Sequence, residues 1–74
     1  MRVPSLSLSE GHQHLVRRQL QLRREVSVQR AAVRRAYAHG ETMGTLARLQ
    51  EALRVLELEL DDVTRLLRHG REVA

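Results

Sequence analysis

The sequence predicts an all-α fold, an antiparallel two-helix hairpin of coiled-coil type. Leu46, Leu49, Leu53, Leu56, Leu60, Val63 and Leu67 recur at alternating steps of three and four. A 3.5-residue repeat keeps one narrow stripe facing a neighbouring helix along its whole length. Leu15, Leu22, Val26, Val33 and Tyr37 precede it at steps of seven and four, and Gln19 and Gln29 fill missing places of that sparser stripe. Between the two stripes, Gly40-Glu41-Thr42-Met43-Gly44 places two glycines and a threonine within five residues. A turn this short returns the second helix antiparallel to the first.

Residues 1 to 8 carry Pro4 and alternate Ser with Leu, without a helical period, and are expected to form a flexible lead. The hairpin then spans 9 to 70. Helix 1 is expected over about 10 to 39, with Ser9 as N-cap and Glu10 at the positive end of the helix dipole. Gly40 suits the left-handed residue that ends a helix. The turn occupies 40 to 45, where Thr42 or Thr45 caps the next helix. Helix 2 is expected over about 46 to 69, ending at Gly70, with 71 to 74 as a short tail.

Charge supports the pairing. Residues 12 to 39 contain seven Arg and one Glu, a balance of +6; residues 41 to 69 contain four Arg, four Glu and two Asp, a balance of −2. A basic helix beside an acidic one favours the antiparallel register, although each exposed pair contributes little to stability.

The apolar surface exceeds what one seam needs. Ala52, Val55 and Leu66 widen the apolar arc of helix 2 to one side, and Val16, Leu20, Ala31 and Ala38 form a weaker stripe nearly opposite the first on helix 1. Burying a Leu or Val contributes about 1.5 to 3 kcal/mol while ordering a residue costs roughly 1.5. A lone hairpin therefore balances near zero, and the chain is expected to be part of a larger helical assembly. The expected partner-binding residues are Ala52, Val55, Leu66, Leu20 and Ala31.

Composition excludes much chemistry. The chain has no cysteine, hence no disulfide and no thiolate metal site, and Tyr37 is its one aromatic residue. His12 and His14 do not share a helix face, His39 and His69 belong at helix ends, and no metal or other cofactor is expected. Glu57, Glu59, Asp61 and Asp62 interleave with the seam as solvated helix surface, with Arg65 in helical reach of both aspartates. No nucleophile stands in a pattern with a base, and no phosphate loop is present, so the chain is not expected to be an enzyme. Seven arginines on helix 1 raise nucleic-acid binding as an alternative. They split around the wheel, however, Arg17, Arg24 and Arg35 on one side, Arg23, Arg30 and Arg34 on another, with Arg18 apart. No apolar run approaches the ~20 residues that span a bilayer, and the expected location is the cytoplasm.

Leu6-Ser7-Leu8-Ser9-Glu10-Gly11-His12, the Arg/Gln/Leu helix that follows, the turn at His39-Gly40 and Leu49-Gln50-Glu51-Ala52-Leu53-Arg54-Val55-Leu56-Glu57 resemble the small hairpin cochaperones of type III secretion needle subunits. The resemblance implies a hetero-oligomer in which this chain pairs with a larger helical-repeat chaperone to keep a secreted subunit monomeric before export. The residues themselves support the broader expectation of a protein-binding chaperone or adaptor. A self-associating hairpin, two copies forming a four-helix bundle, is the first alternative.

Overall fold

The computed structural model describes the backbone of residues 3 to 73 and the side chains of residues 11 to 69. Two helices, α1 (Val3–Ala38) and α2 (Met43–Val73), make up the described residues, with no strand among them, and they pack against each other as a hairpin. The cross-helix pairs fix its sense. Gln19 meets Thr64, Arg30 meets Glu57 and Tyr37 meets Gln50, so numbers rise along α1 as they fall along α2. The radius of gyration is 17.0 Å and the principal extents are 57 × 22 × 15 Å. A globular chain of this length would have a radius near 11 Å, so the hairpin is a rod one helix thick.

The turn follows from two residues. Gly40 has φ of 68°, the left-handed region that a Cβ disfavours. Its N–H donates to Tyr37 O at 3.1 Å, and the Glu41 N–H donates to Ala36 O at 3.0 Å. These two bonds satisfy carbonyls that the end of α1 would leave open, in the pattern of a Schellman cap. His39 Nδ1 adds a bond to Arg35 O at 2.8 Å. Thr42 then starts α2: its Oγ1 accepts from the Thr45 N–H at 3.2 Å, and its carbonyl accepts the first helical bond from Leu46 at 3.0 Å. Thr42, not Thr45, is the N-cap.

Both helices run past the ends the sequence suggested. Residues 3 to 8, expected as a flexible lead, are helical, and Ser9 lies inside α1 instead of capping it. Pro4 explains why this is possible, since a proline in the first turn gives up an N–H that has no helical partner anyway. Likewise α2 passes through Gly70 to Val73. A glycine costs a helix about 1 kcal/mol relative to alanine but stops it only where the chain turns left-handed. Residues 1, 2 and 74 lie outside the described residues.

The core sits along the seam. Leu22, Val26, Val33, Ala36, Leu46, Val63 and Leu67 are buried. Leu22, fully enclosed, forms a cluster with Val63 and Leu67, against which Leu15, Val16, Leu56 and Leu60 pack. Leu49 and Leu53 are half-buried. Two places differ from the sequence pattern. Tyr37 is 57% exposed, its hydroxyl accepting a hydrogen bond from Gln50 of α2, and Ala36 takes the buried place beside it. Val16, assigned to a stripe opposite the seam, packs instead on the edge of the Leu22 cluster.

Leu22→Ala should lower the unfolding free energy by about 2 to 5 kcal/mol, as deletion of an enclosed leucine does, measured by urea denaturation followed by circular dichroism. Gly40→Ala should cost about 1 to 2 kcal/mol from the left-handed backbone alone, since the new methyl meets nothing within 4 Å. Gly11→Ala, inside α1 with equally open surroundings, should stabilise by about 0.5 to 1 kcal/mol.

Candidate functional site: the outer faces of the hairpin

A helix pair has two side surfaces flanking the seam and one outer surface on each helix. Cross-helix pairs show which side of α1 matches which side of α2. On one side Arg18 reaches Glu59; on the other Arg30 Nη2 donates to Glu57 Oε2 at 2.9 Å and Gln50 Nε2 donates to the Tyr37 hydroxyl at 2.8 Å. At ~100° per residue, Ala52, Val55 and Leu66 stand on the Glu59 side of α2. Leu20 and Ala31 point nearly away from the seam and lean to the opposite side, that of Arg30. The five residues expected to bind one partner therefore occupy two surfaces.

The first surface is the α2 flank. Val55 is 52% and Leu66 56% exposed, three helical turns apart, with exposed Ala52 one turn before Val55. Leu66 lines an open hollow of about 580 Å³ with Asp62, Arg65, Arg68 and His69. Asp61 and Asp62 both pair with Arg65 within α2, and the hydrogen bond that Arg65 donates to Asp61, with the aspartate's charge, raises the Arg65 pKa above the usual arginine value. That local network leaves Leu66 as the apolar element beside fixed charges. Val28 of α1, 61% exposed and a member of neither apolar stripe, points away from α2 on the Arg18 side of α1 at ~100° per residue.

The second surface is the outside of α1. Leu20 is 55% exposed and Ala31 half-buried. Arg23, Ser27, Arg30 and Arg34 line an open groove of about 310 Å³ whose inner wall is Val26 and Leu60. The split of arginines on the helical wheel becomes spatial here: one set borders this groove, and Arg17, Arg24 and Arg35 lie across Leu20 and Ala31 from it.

The seam itself is not wholly apolar. Gln19 Nε2 donates to Thr64 Oγ1 at 3.1 Å, and Gln29 Nε2 donates to the Leu49 carbonyl at 3.1 Å. Both bonds are part-buried and cross between helices, so sliding α2 by one turn would break them. No buried side-chain nitrogen or oxygen among the described residues lacks a hydrogen-bond partner. The Glu59 hydrogen bond, outweighing the lowering effect of desolvation, raises the Arg18 pKa above the usual arginine value.

Among the described residues no three His, Asp or Glu side chains stand close enough to hold a metal ion, and no helix is long and apolar enough to cross a membrane. No family model, characterised protein or solved structure matches the chain.

Gln19→Leu combined with Gln29→Leu should raise the melting temperature while loosening the register, since a polar seam residue fixes alignment at a cost in stability. Spin labels on α1 and α2 should then report a broader distribution of interhelical distances than in the parent chain.

Proposed function

We propose that the chain is a non-enzymatic protein-binding module, a small chaperone or adaptor that works by covering apolar surface of a partner in a hetero-oligomer. One observation carries this proposal. Val55 and Leu66 stand more than half exposed on one flank of α2, beside a seam that already occupies α1. A single seam has few residues enclosed from more than one side, and a small chain with a thin core gains most from further burial against another protein. The flank offers that burial without opening the hairpin.

The type III secretion resemblance gives this proposal a narrower form, in which the partner is a helical-repeat chaperone and the pair holds a secreted subunit monomeric in the cytoplasm. The hairpin architecture is compatible with it, and the resemblance alone supplies the rest. Self-association into a four-helix bundle would use the same flank.

Val55→Ser with Leu66→Ser should leave the helical circular-dichroism spectrum in place and abolish a complex of fixed stoichiometry recovered from the native host. Recovery of that complex from the double variant would overturn the assignment of the flank. Sedimentation of the purified parent chain as a dimer, with no second protein in the native complex, would replace the hetero-oligomer by the bundle.

A further inference from the structure

Five of the seven arginines in residues 12 to 39 have no carboxylate within 4.0 Å among the described residues: Arg17, Arg23, Arg24, Arg34 and Arg35. Only Arg18 and Arg30 are paired, each with a glutamate of α2. Arg17, Arg24 and Arg35 lie on the side of α1 turned away from α2, while Arg23 and Arg34, with Arg30, border the groove that reaches α2 at Leu60. Between their two rows runs a narrow strip, Leu20, Ser27, Ala31 and Ala38. Its steps are seven, four and seven, the same repeat that spaces the inner seam. Small side chains at three of the four places leave room for close approach.

We infer that this outer face of α1 is a docking site for an acidic amphipathic helix of a partner protein, its apolar strip against Leu20 and Ala31 and its carboxylates reaching both arginine rows. This rests on the proposed protein-binding function and specifies the partner at the second surface. Guanidinium groups present a planar fork that matches a carboxylate with two parallel hydrogen bonds. On the groove side, Arg23 and Arg34 stand about 16 Å apart along the helix, at 1.5 Å per residue. Ser27 lies between them, and Val26 and Leu60 close the inner wall. A partner helix offers carboxylates on both borders of its own apolar strip and therefore engages both rows. A phosphate backbone would follow one row and leave the apolar strip in water.

Charge also decides against a second copy of this chain as the occupant. Glu57, Glu59, Asp61 and Asp62 of α2 already meet arginines of their own chain, and the chain as a whole carries +4. Self-docking would bring two basic molecules together with few free carboxylates to offset them.

The test uses the full chain and a synthetic three-heptad helical peptide with a leucine/alanine strip bordered by glutamates. A peptide with lysines in place of the glutamates and a single-stranded DNA oligonucleotide serve as competitors for comparison. Fluorescence anisotropy should show binding of the glutamate peptide, weakening steeply with salt. Arg23→Gln with Arg34→Gln should weaken it at least about tenfold, the loss expected when charge-assisted hydrogen bonds go, while the helical spectrum stays unchanged and Arg23→Lys with Arg34→Lys restores part of the affinity. Val55→Ser with Leu66→Ser should leave peptide binding as it is. Equal binding of the lysine peptide, tighter binding of the oligonucleotide, or no binding of the glutamate peptide would each overturn the inference. In the last case, a native complex that still depends on Val55 and Leu66 would leave the protein-binding function standing.

Discussion

Everything in this molecule depends on one interhelical seam. A hairpin of two helices has no second layer, so the contact between α1 and α2 must hold the backbone of both in place and set the position of every outward side chain. The contact is uneven along its length. Away from the turn Leu22, Val63 and Leu67 enclose one another, next to the turn Val33, Ala36 and Leu46 close up, and between them Leu49, Leu53, Leu56 and Leu60 remain partly open. These partly open seam residues reach the surface of the rod, so core and candidate interface are continuous here.

The turn and the seam cooperate. Gly40 and Thr42 set where α1 stops and α2 starts, and that choice aligns the two stripes so that Gln19 finds Thr64 and Gln29 finds the Leu49 carbonyl. Apolar contacts alone would tolerate a shift by one turn at modest cost. The two glutamine bonds do not, because a shifted glutamine would sit against hydrocarbon with its amide unpaired.

Much of this was legible in the residues. The seam of α2 stands out because leucine or valine occupies every place of the repeat, and the Gly-Glu-Thr turn is written in residues with narrow conformational roles. The helix ends were not legible, because Pro4 and Gly70 are as compatible with a helix terminus as with its first turn or interior, and sequence pattern does not separate these. Tyr37 and Ala36 exchanged roles because the tyrosine ring lies at the edge of the seam, where its hydroxyl meets Gln50, and a period count does not separate an edge place from a buried one. The candidate partner surface was half legible. A helical wheel places Val55, Leu66, Leu20 and Ala31 correctly on their own helices. Only the cross-helix pairs show that the first two and the last two face different ways.

Antiparallel packing has one more consequence. The backbone dipoles of α1 and α2 run in opposite directions and largely cancel along the rod. The side-chain charges do not cancel, since +6 on residues 12 to 39 lies beside −2 on residues 41 to 69 at an axis separation of about 8 to 10 Å. The molecule is thus polarised across its width and not along its length. In the field of a charged partner it would roll about its long axis, presenting α1 to an anionic surface before any contact forms, and this orienting torque would fade as salt shortens the reach of the field.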